Sequence, residues 1–228
     1  VEYTDELVYI PYYVLGEIDP DNKEALEGNA HFIKVPGVIN AHRVIVQSEN
    51  WRKAYIKVLT EYLGRDTKEA WEKKIEVGVS PKVERVRNLK AEDYKLPEEW
   101  EQIAKREDGS KKKIIFYNTS VGAMLNNADK MLDKIERNLE IFKYNSDDVT
   151  LLWRPHPLTE ATLTSMLPAL WERYKAIVDN FCSEGWGIYD ESPELDRAIA
   201  ISDAYYGDQS SVVWLYRSEE HTSELQSH

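Results

Sequence analysis

Residues 149–157 read VTLLWRPHP, and the change of character inside this stretch indicates an α/β fold. Val149–Trp153 is short, apolar and rich in β-branched and aromatic residues, as buried strands are. Arg154-Pro155-His156-Pro157 follows it directly, and its two prolines fix φ and stiffen the backbone. The stretch therefore predicts a buried strand that ends in a rigid, charged loop.

Strands and helices alternate on both sides of this stretch. Lys113–Tyr117 (KIIFY) is an apolar run of the same kind, and helical spacing of apolar residues fills the intervals between the runs. Because alternating strands and helices are joined by crossover connections, the pattern predicts a mostly parallel sheet. The other predicted strands are Gly187–Tyr189 and Asp203–Tyr206, and the predicted helices are Asn127–Tyr144, Glu160–Phe181 with a kink near Pro168, Pro193–Ile201 and a helix start at Ser210–Tyr216.

A second α/β pattern occupies the N-terminal part of the chain. Ser48 stands at an N-cap position, Glu49–Leu63 has helical spacing, and Gly64 closes the helix. The other elements predicted here are the strands Leu7–Val14 and Arg43–Gln47, the turn-rich connection Asp19–Gly28 and the helix Thr67–Ile75.

The two patterns divide the chain into predicted domains. Residues 113–216 are expected to form a truncated Rossmann-like domain, and residues 1–85 the remnant of a second one. The fragment by itself is therefore expected to be inactive. An N-terminal portion is expected to precede Val1, because the chain enters a structured segment at once. The strongly charged residues 86–112 are predicted to be an interdomain linker. Residues 217–228 look like the in-frame translation of a sequencing adapter and are left out of the fold; a natural polar tail is the alternative.

Composition excludes several classes of protein. The 228 residues carry 29 Lys+Arg against 41 Asp+Glu, a net charge of −12; without residues 217–228 the balance is 28 against 38, or −10. So acidic a chain lacks the basic footprint of nonspecific nucleic-acid binding, and no nucleic-acid partner is expected. Cys182 is the only cysteine, which excludes an internal disulfide or a multi-cysteine metal site and fits a reducing cytoplasmic setting. No run approaches the roughly 18 apolar residues of a membrane span.

The charged loop after Val149–Trp153 is the first candidate for function, because open parallel sheets bind ligands at the carboxyl ends of their strands. Arg154 can hold a phosphate through a forked pair of hydrogen bonds. His156 titrates near neutrality and can donate to a phosphate oxygen or take a proton. For an isolated histidine a structural role is the more common one, but the neighbouring arginine and the position after a strand favour function.

Two further segments follow predicted strands and are weaker signals by themselves. Tyr206–Ser211 contains Gly207, which permits close backbone approach, and its two serines would place hydroxyl and N–H groups at a helix N-terminus, where anions bind. An ordinary Asp/Ser N-cap is the alternative. Asn118–Gly122 is small and polar, as many turns are. The side chains expected to be solvated or structural include Asp190, Glu191, His31 and His42.

Together these segments resemble a known family. Arg154-Pro155-His156-Pro157, followed by Ser202-Asp203 through Asp208-Gln209-Ser210-Ser211, is similar to the pattern of CDP-glycerol glycerophosphotransferases, the teichoic acid polymerases. Arg43–Glu49 resembles a late strand and helix start of that family's N-terminal domain, and Gly78–Lys82 resembles its interdomain turn. The likeness covers most of the chain, but its specific motifs lie in the second predicted domain.

The resemblance implies a GT-B fold, in which two Rossmann-like domains face each other across a cleft and the C-terminal one holds the nucleotide donor. It implies a catalytic role for Arg154 and His156 at the phosphates of the donor. Asn118 and Thr119 match the family's Pro-Thr position, and Lys82 stands where the family has Arg. The residues that would bind the donor are Lys82, Asn118, Thr119, Arg154, His156, Asp208, Ser210 and Ser211.

The implied reaction is transfer of glycerol phosphate from CDP-glycerol to an acceptor hydroxyl, in the synthesis of a teichoic acid-like surface polymer. The implied partners are CDP-glycerol or a related nucleotide donor and a lipid-linked polymer acceptor, with no cofactor and no required metal ion. The implied location is cytoplasmic, with peripheral association on the inner face of the bacterial membrane allowed.

Besides Lys82, the chain departs from the family pattern at three positions. Gln209 replaces a Tyr, Asn118 replaces a Pro, and Leu215 stands where a donor-binding carboxylate is expected. These departures leave two alternatives open. One is a GT-B glycosyltransferase that uses a nucleotide sugar, and the other is a degenerate, non-catalytic Rossmann-like binding module.

Overall fold

Parallel strands form the centre of both halves of the chain in the computed structural model, which describes residues 5–208 and 210–218. The chain divides into two compact units, Val1–Arg85 and Val86–His228, and each has its own sheet. The α/β class predicted from the sequence is therefore confirmed, and two parallel sheets are compatible with Rossmann-like folds. Within the described residues, none of the helices combines the length and apolar character needed to cross a membrane.

In the first unit the sheet has strand order β1-β2-β3, and both pairings are parallel. Its core lies between the sheet and a layer of helices that includes the long helix after β2. The strands are β1 (Val8–Tyr9), β2 (Arg43–Val46) and β3 (Ile75–Val77); the helices are α1 (Lys23–Ile33), α2 (Pro36–Asn40), α3 (Glu49–Leu63) and α4 (Lys68–Lys74), with a 3-10 turn at Arg65–Thr67.

Helix α3 begins and ends where the sequence predicts. The Ser48 hydroxyl accepts a hydrogen bond from the Trp51 N–H at 3.2 Å, which satisfies one of the free donors of the first turn. Gly64 ends the helix with φ 114°, a conformation that side chains with a Cβ rarely adopt. Tyr55 and Leu59 lie on the buried face, and each contributes on the order of 1.5–3 kcal/mol by leaving water.

Three predictions for the first unit are wrong. The strand expected over Leu7–Val14 is only Val8–Tyr9, and Pro11, which has no N–H, lies two residues beyond its end. The expected connection Asp19–Gly28 contains the start of α1, where Asn22 Oδ1 accepts from the Ala25 N–H. Ile75 is not the end of a helix but the first residue of β3.

In the second unit the sheet has strand order β6-β5-β4-β7, and all its pairings are parallel. The strands are β4 (Lys113–Thr119), β5 (Val149–Pro155), β6 (Ile188–Tyr189) and β7 (Ala204–Gly207). The helices from α5 onward are α5 (Pro81–Arg87), α6 (Glu98–Ile103), α7 (Val121–Asn126), α8 (Ala128–Tyr144), α9 (Thr159–Met166), α10 (Pro168–Glu184), α11 (Leu195–Ile201) and α12 (Ser211–Arg217), with a 3-10 turn at Ala91–Asp93.

The charged segment 86–112, predicted to be a linker, packs onto this second sheet. Ile103 at the end of α6 accepts a hydrogen bond from the Thr150 hydroxyl of β5 at 3.2 Å. Ala104 is buried, and Lys105 and Lys111 form an antiparallel bridge. The segment is therefore built into the second unit rather than extended between two domains.

The order of strands reverses between β4 and β7. β4 is the first strand of this sheet along the chain; β5 and β6 are added on one side of it and β7 on the other. In open α/β sheets, ligands bind outside the carboxyl ends of the strands at such a reversal. The region outside the ends of β4 and β7, called the crevice below, is therefore the position at which a fold of this kind is expected to bind a ligand.

Strands β4 and β5 are longer than predicted. Asn118 and Thr119 are the last residues of β4, and Arg154 and Pro155 the last of β5, so these residues belong to strands and not to loops. They pair with each other in register, Asn118 with Arg154 and Thr119 with Pro155. The rigidity inferred from the prolines thus comes from the sheet as well.

Candidate functional site

Asn118 joins the three predicted segments at the carboxyl edge of the second sheet. Its side-chain Nδ2 donates to the Arg154 carbonyl at 3.1 Å. Its Oδ1 accepts from the Ser210 hydroxyl at 3.3 Å and lies 3.4 Å from the Tyr205 hydroxyl, which donates to the Asp208 carbonyl at 3.0 Å. The residue is only 5% exposed, so these contacts are shielded from water. One buried amide therefore links the ends of β4, β5 and β7.

Gly207 permits this close approach of β7 to β4. A Cβ at Gly207 would lie 2.3 Å from the carbonyl oxygen of Asn118, well inside van der Waals contact. The next residue, Asp208, donates its N–H to the same carbonyl at 3.2 Å. Glycine is thus required at the strand-order reversal because any side chain would push the two strand ends apart.

His156 is fixed at the same edge by its backbone and its ring. Its N–H donates to the Thr119 carbonyl at 2.9 Å, and its ring Nδ1 accepts from the Leu158 N–H at 3.1 Å. Because Nδ1 is the acceptor, the proton of the neutral ring lies on Nε2. The protein around the ring removes part of its hydration, which lowers the pKa of His156 from its usual 6.5. At neutral pH the residue therefore presents a neutral Nε2–H donor.

Arg154 does not direct its guanidinium to open solvent. Nη1 donates to Asp190 Oδ2 and Nη2 to the Ser192 carbonyl, each at 2.6 Å. Asp190 is 1% exposed and also accepts from the Ser192 N–H at 3.0 Å. Both terminal nitrogens of Arg154 are used within the chain, so the forked phosphate contact expected from the sequence is not the arrangement that the structure shows.

The expectation that Asp190 is solvated is wrong. It lies directly after β6, at the same edge as the other segments, and its carboxylate is also 3.6 Å from Arg197. Arg197 pairs with Glu194 at 2.9 Å and stacks on the Trp100 ring of α6, 4.4 Å from its centroid. A buried carboxylate is stable only with such partners. Its position after a strand was the signal available in the sequence.

Asp208 connects the ends of β4 and β7 to helix α8. Its Oδ2 accepts from the Ser120 N–H at 2.9 Å, and its Oδ1 accepts from Lys134 Nζ at 3.1 Å. The Asp208 side chain is 10% exposed, whereas that of Lys134 is 46% exposed. Lys134 and Asp208 thus place one cation and one carboxylate beside the crevice, with no net charge. No pattern in the sequence distinguishes Lys134 from the other lysines of α8.

The two serines lie at the start of α12. The Ser210 hydroxyl accepts from the Val212 N–H at 3.2 Å, so it caps the helix, as the alternative interpretation expects. Its own proton is directed to Asn118 Oδ1. Ser211 is the first residue of the helix, and Gln209 lies outside the described residues.

Two further predicted donor-binding residues differ in setting: Thr119 is in the core of the second unit, and Lys82 belongs to the first unit. Thr119 is 1% exposed, and its hydroxyl accepts from the Trp153 indole N–H at 3.2 Å, which places it in the core and not in the crevice. Lys82 lies in α5 with its Nζ 5.6 Å from the centroid of the Tyr12 ring. Across residues 5–208 and 210–218, no cluster of three or more His, Cys, Asp or Glu side chains has the arrangement of a metal site.

Comparison with known proteins finds no family model, no curated protein and no solved structure that matches this chain. A function can therefore be proposed only from the residues and their geometry.

Proposed function

We propose that this chain is a GT-B transferase that moves glycerol phosphate from CDP-glycerol to an acceptor hydroxyl. The observation that best supports this proposal is that the Asn118 side chain hydrogen-bonds to both Arg154 and Ser210. The segments that resemble the CDP-glycerol family therefore meet at one strand-order reversal. These segments lie far apart in sequence, and a nucleotide diphosphate is a typical ligand of this position in doubly wound sheets.

In the proposed reaction the acceptor oxygen attacks the β-phosphorus of CDP-glycerol. A new P–O bond forms, the bond to the bridging oxygen breaks, CMP leaves, and the acceptor proton passes to a base. Phosphoryl transfer depends mainly on positioning and on stabilising the charge of the phosphate oxygens. The Nε2–H of His156 donates to one of those oxygens, and Lys134, which pairs with Asp208 in the free protein, is a cation beside the site.

In the proposal, Arg154 stabilises the end of β5 next to this site. Its ion pair with Asp190 ties the end of β5 to the segment after β6. Because His156 follows two residues later and is bonded to Thr119, a fixed β5 end holds the imidazole in place. We therefore assign Arg154 to positioning, in place of the direct phosphate contact implied by the family pattern.

The GT-B arrangement and the cellular setting are further parts of the proposal. GT-B enzymes contain two domains that each have a parallel sheet. This chain has two units, and each has a parallel sheet. The resemblance adds a lipid-linked polymer acceptor and a cytoplasmic location, with peripheral contact to the inner face of the membrane.

A glycosyltransferase that uses a nucleotide sugar is the second candidate. Leu215, at the position where the family has a donor-binding carboxylate, is 3% exposed and packed in the core. A site without that carboxylate lacks one of the donor-binding groups that the resemblance implies. The phosphate-binding part of the site would be the same for either donor.

Thermal-shift measurements with CDP-glycerol, CDP-ribitol and UDP-glucose separate these candidates. We expect CDP-glycerol to raise Tm most and His156→Ala to remove the effect, because a ligand that binds the native state stabilises it. A larger shift with UDP-glucose favours the second candidate. If no nucleotide shifts Tm, the proposed donor site is wrong and a non-catalytic binding module is favoured.

A further inference from the structure

A cavity of about 430 Å³, within the size range of small-molecule sites, opens to solvent in the second unit. It lies at the amino edge of the sheet, because Lys112 directly precedes β4 and the Ile103 carbonyl accepts a hydrogen bond from Thr150 at the start of β5. Since β4 has seven residues, this edge is about 20 Å from the crevice at the carboxyl edge. The residues that line the cavity are Glu99, Gln102, Ile103, Lys112, Gly185 and Trp186.

The walls of this cavity are held by contacts within the chain. The Lys112 N–H donates to the Ala104 carbonyl at 2.9 Å, which joins the segment before β4 to the end of α6. The Trp186 indole N–H donates to Glu184 Oε2 at 2.8 Å, and its ring packs edge-on against Phe181, with centroids 4.9 Å apart. The cavity is therefore largely preformed, which reduces the entropy lost on binding.

The lining carries one side chain of each charge. Glu99 belongs to α6, and Lys112 lies in the segment before β4. Within residues 5–208 and 210–218, neither side chain forms an ion pair or a hydrogen bond, and the two do not pair with each other. Their neighbours differ, since Lys113 pairs with Asp203 at 2.7 Å. A carboxylate and an ammonium that share a cavity without pairing can each bind a ligand group of the opposite charge.

The apolar part of the lining consists of Ile103 and Trp186, both of which are half-buried. Gly185 beside them has no side chain, and a Cβ at this position would meet nothing within 4 Å, so the space next to the indole is open. An aliphatic group of a ligand can therefore leave water against these two side chains. Apolar walls with a few polar groups are the usual composition of small-molecule sites.

We propose that this cavity binds a small zwitterion of the amino-acid class with an apolar side chain. The ligand carboxylate pairs with Lys112 and its ammonium pairs with Glu99, while its apolar group packs on Ile103 and Trp186. A ligand with a single charge would satisfy only one of the two charged side chains. The proposal does not depend on phosphotransfer, because the cavity lies at the opposite edge of the sheet from the crevice and shares no residue with it. Either proposal can fail alone.

Leucine, 4-methylpentanoate and 3-methylbutylamine are the probes, because they share one branched apolar group and carry both charges, only the carboxylate and only the ammonium. The chain has seven Trp, and the indole N–H resonances of Trp186 and Trp51 in a ¹H–¹⁵N spectrum are assigned by their loss in Trp186→Phe and Trp51→Phe. We expect leucine to shift the Trp186 resonance saturably while that of Trp51 in the first unit stays in place. Each probe with a single charge should bind about tenfold more weakly or worse.

Two variants, each with a matched control, complete the test. Lys112→Gln and Glu99→Gln each remove one charge from the lining and should weaken leucine binding by about tenfold or more. Lys111→Gln and Glu98→Gln remove the same charges from exposed neighbours that do not line the cavity, so they should bind leucine as the wild type does. The proposal is overturned if leucine causes no saturable shift at Trp186, if a probe with a single charge binds as tightly, or if either lining variant binds like its control.

Discussion

Arg154 and Asp190 form an ion pair in which Nη1 lies 2.6 Å from Oδ2, with 7% and 0% of the respective side chains exposed. The pair joins the end of β5 to the residue after β6, at the edge of the sheet where the candidate site lies. Arg197, 12% exposed, is the second cation near the same carboxylate. The Asp190 carboxylate is thus the counter-charge of two largely buried arginines. Substitution of Asp190 is therefore expected to destabilise this network most.

Asp190→Asn should destabilise the second unit by about 3–5 kcal/mol, because it leaves buried arginine charge without its partner. Urea unfolding followed by tryptophan fluorescence measures the loss. Glu69→Gln, in an ion pair with Lys73 whose side chains are 79% and 75% exposed, is the control and should change the midpoint little. An Asp190→Asn midpoint equal to that of the wild type would show that the pair contributes no stability.

Gly207→Ala should separate β7 from β4, because the added Cβ would lie 2.3 Å from the Asn118 carbonyl oxygen. We expect a loss of about 1–3 kcal/mol, as for other overpacked positions, together with weaker nucleotide binding. Gly122→Ala is the matched control, since its Cβ meets nothing within 4 Å and it lies in α7. That control should be neutral or stabilising by about 0.5–1 kcal/mol. Equal effects of the two substitutions would contradict the close approach.

Much of the fold follows from local signals. Helix α3 is predictable to the residue because Ser48 and Gly64 act on their own neighbours in the chain. Strands β4 and β5 are recognisable from their apolar runs, although both extend into polar residues. That extension depends on partners distant in sequence, since Asn118 and Arg154 are buried only where other strand ends satisfy their polar atoms.

The features that the sequence does not predict are those that depend on tertiary contacts. Strand β3 has three residues and pairs with β2, so its own sequence does not distinguish it from a helix end. The partner of Arg154 is likewise invisible in sequence, because Asp190 reaches it only through the pairing of β5 with β6. The site could thus be located from the sequence, but the direction in which its arginine points could not.

Ser48→Ala should cost about 0.5–2 kcal/mol, since it removes the acceptor of the Trp51 N–H at the start of α3. Ser48→Thr keeps a hydroxyl and should retain most of the stability. Thermal unfolding of the two variants by circular dichroism measures the difference. If alanine and threonine unfold at the same temperature as the wild type, the cap has no energetic role.

His156 should titrate below pH 6.5 in the free protein, because loss of hydration disfavours its charged form. At pH values between the pKa of folded His156 and 6.5, the unfolded chain binds more protons than the folded one. The contribution of His156 to the free energy of unfolding therefore increases with pH through this range and is lost as the pH falls. A bound diphosphate should raise the midpoint, and the affinity for CDP-glycerol should then increase as the pH falls toward it. The Cε1–H resonance, assigned with His156→Gln, reports both values. A free midpoint at or above 6.5 would contradict the neutral donor.

The most direct test of the proposed donor site is a titration of the ¹⁵N-labelled chain with CDP-glycerol. We expect saturable shifts of the backbone amides of Ser120, His156 and Ser211, around the end of β4 and the strand-order reversal, while the Trp51 indole resonance is unchanged. His156→Ala should weaken this binding by about tenfold or more. No shift at these amides, or equal binding by His156→Ala, would contradict the proposed donor site.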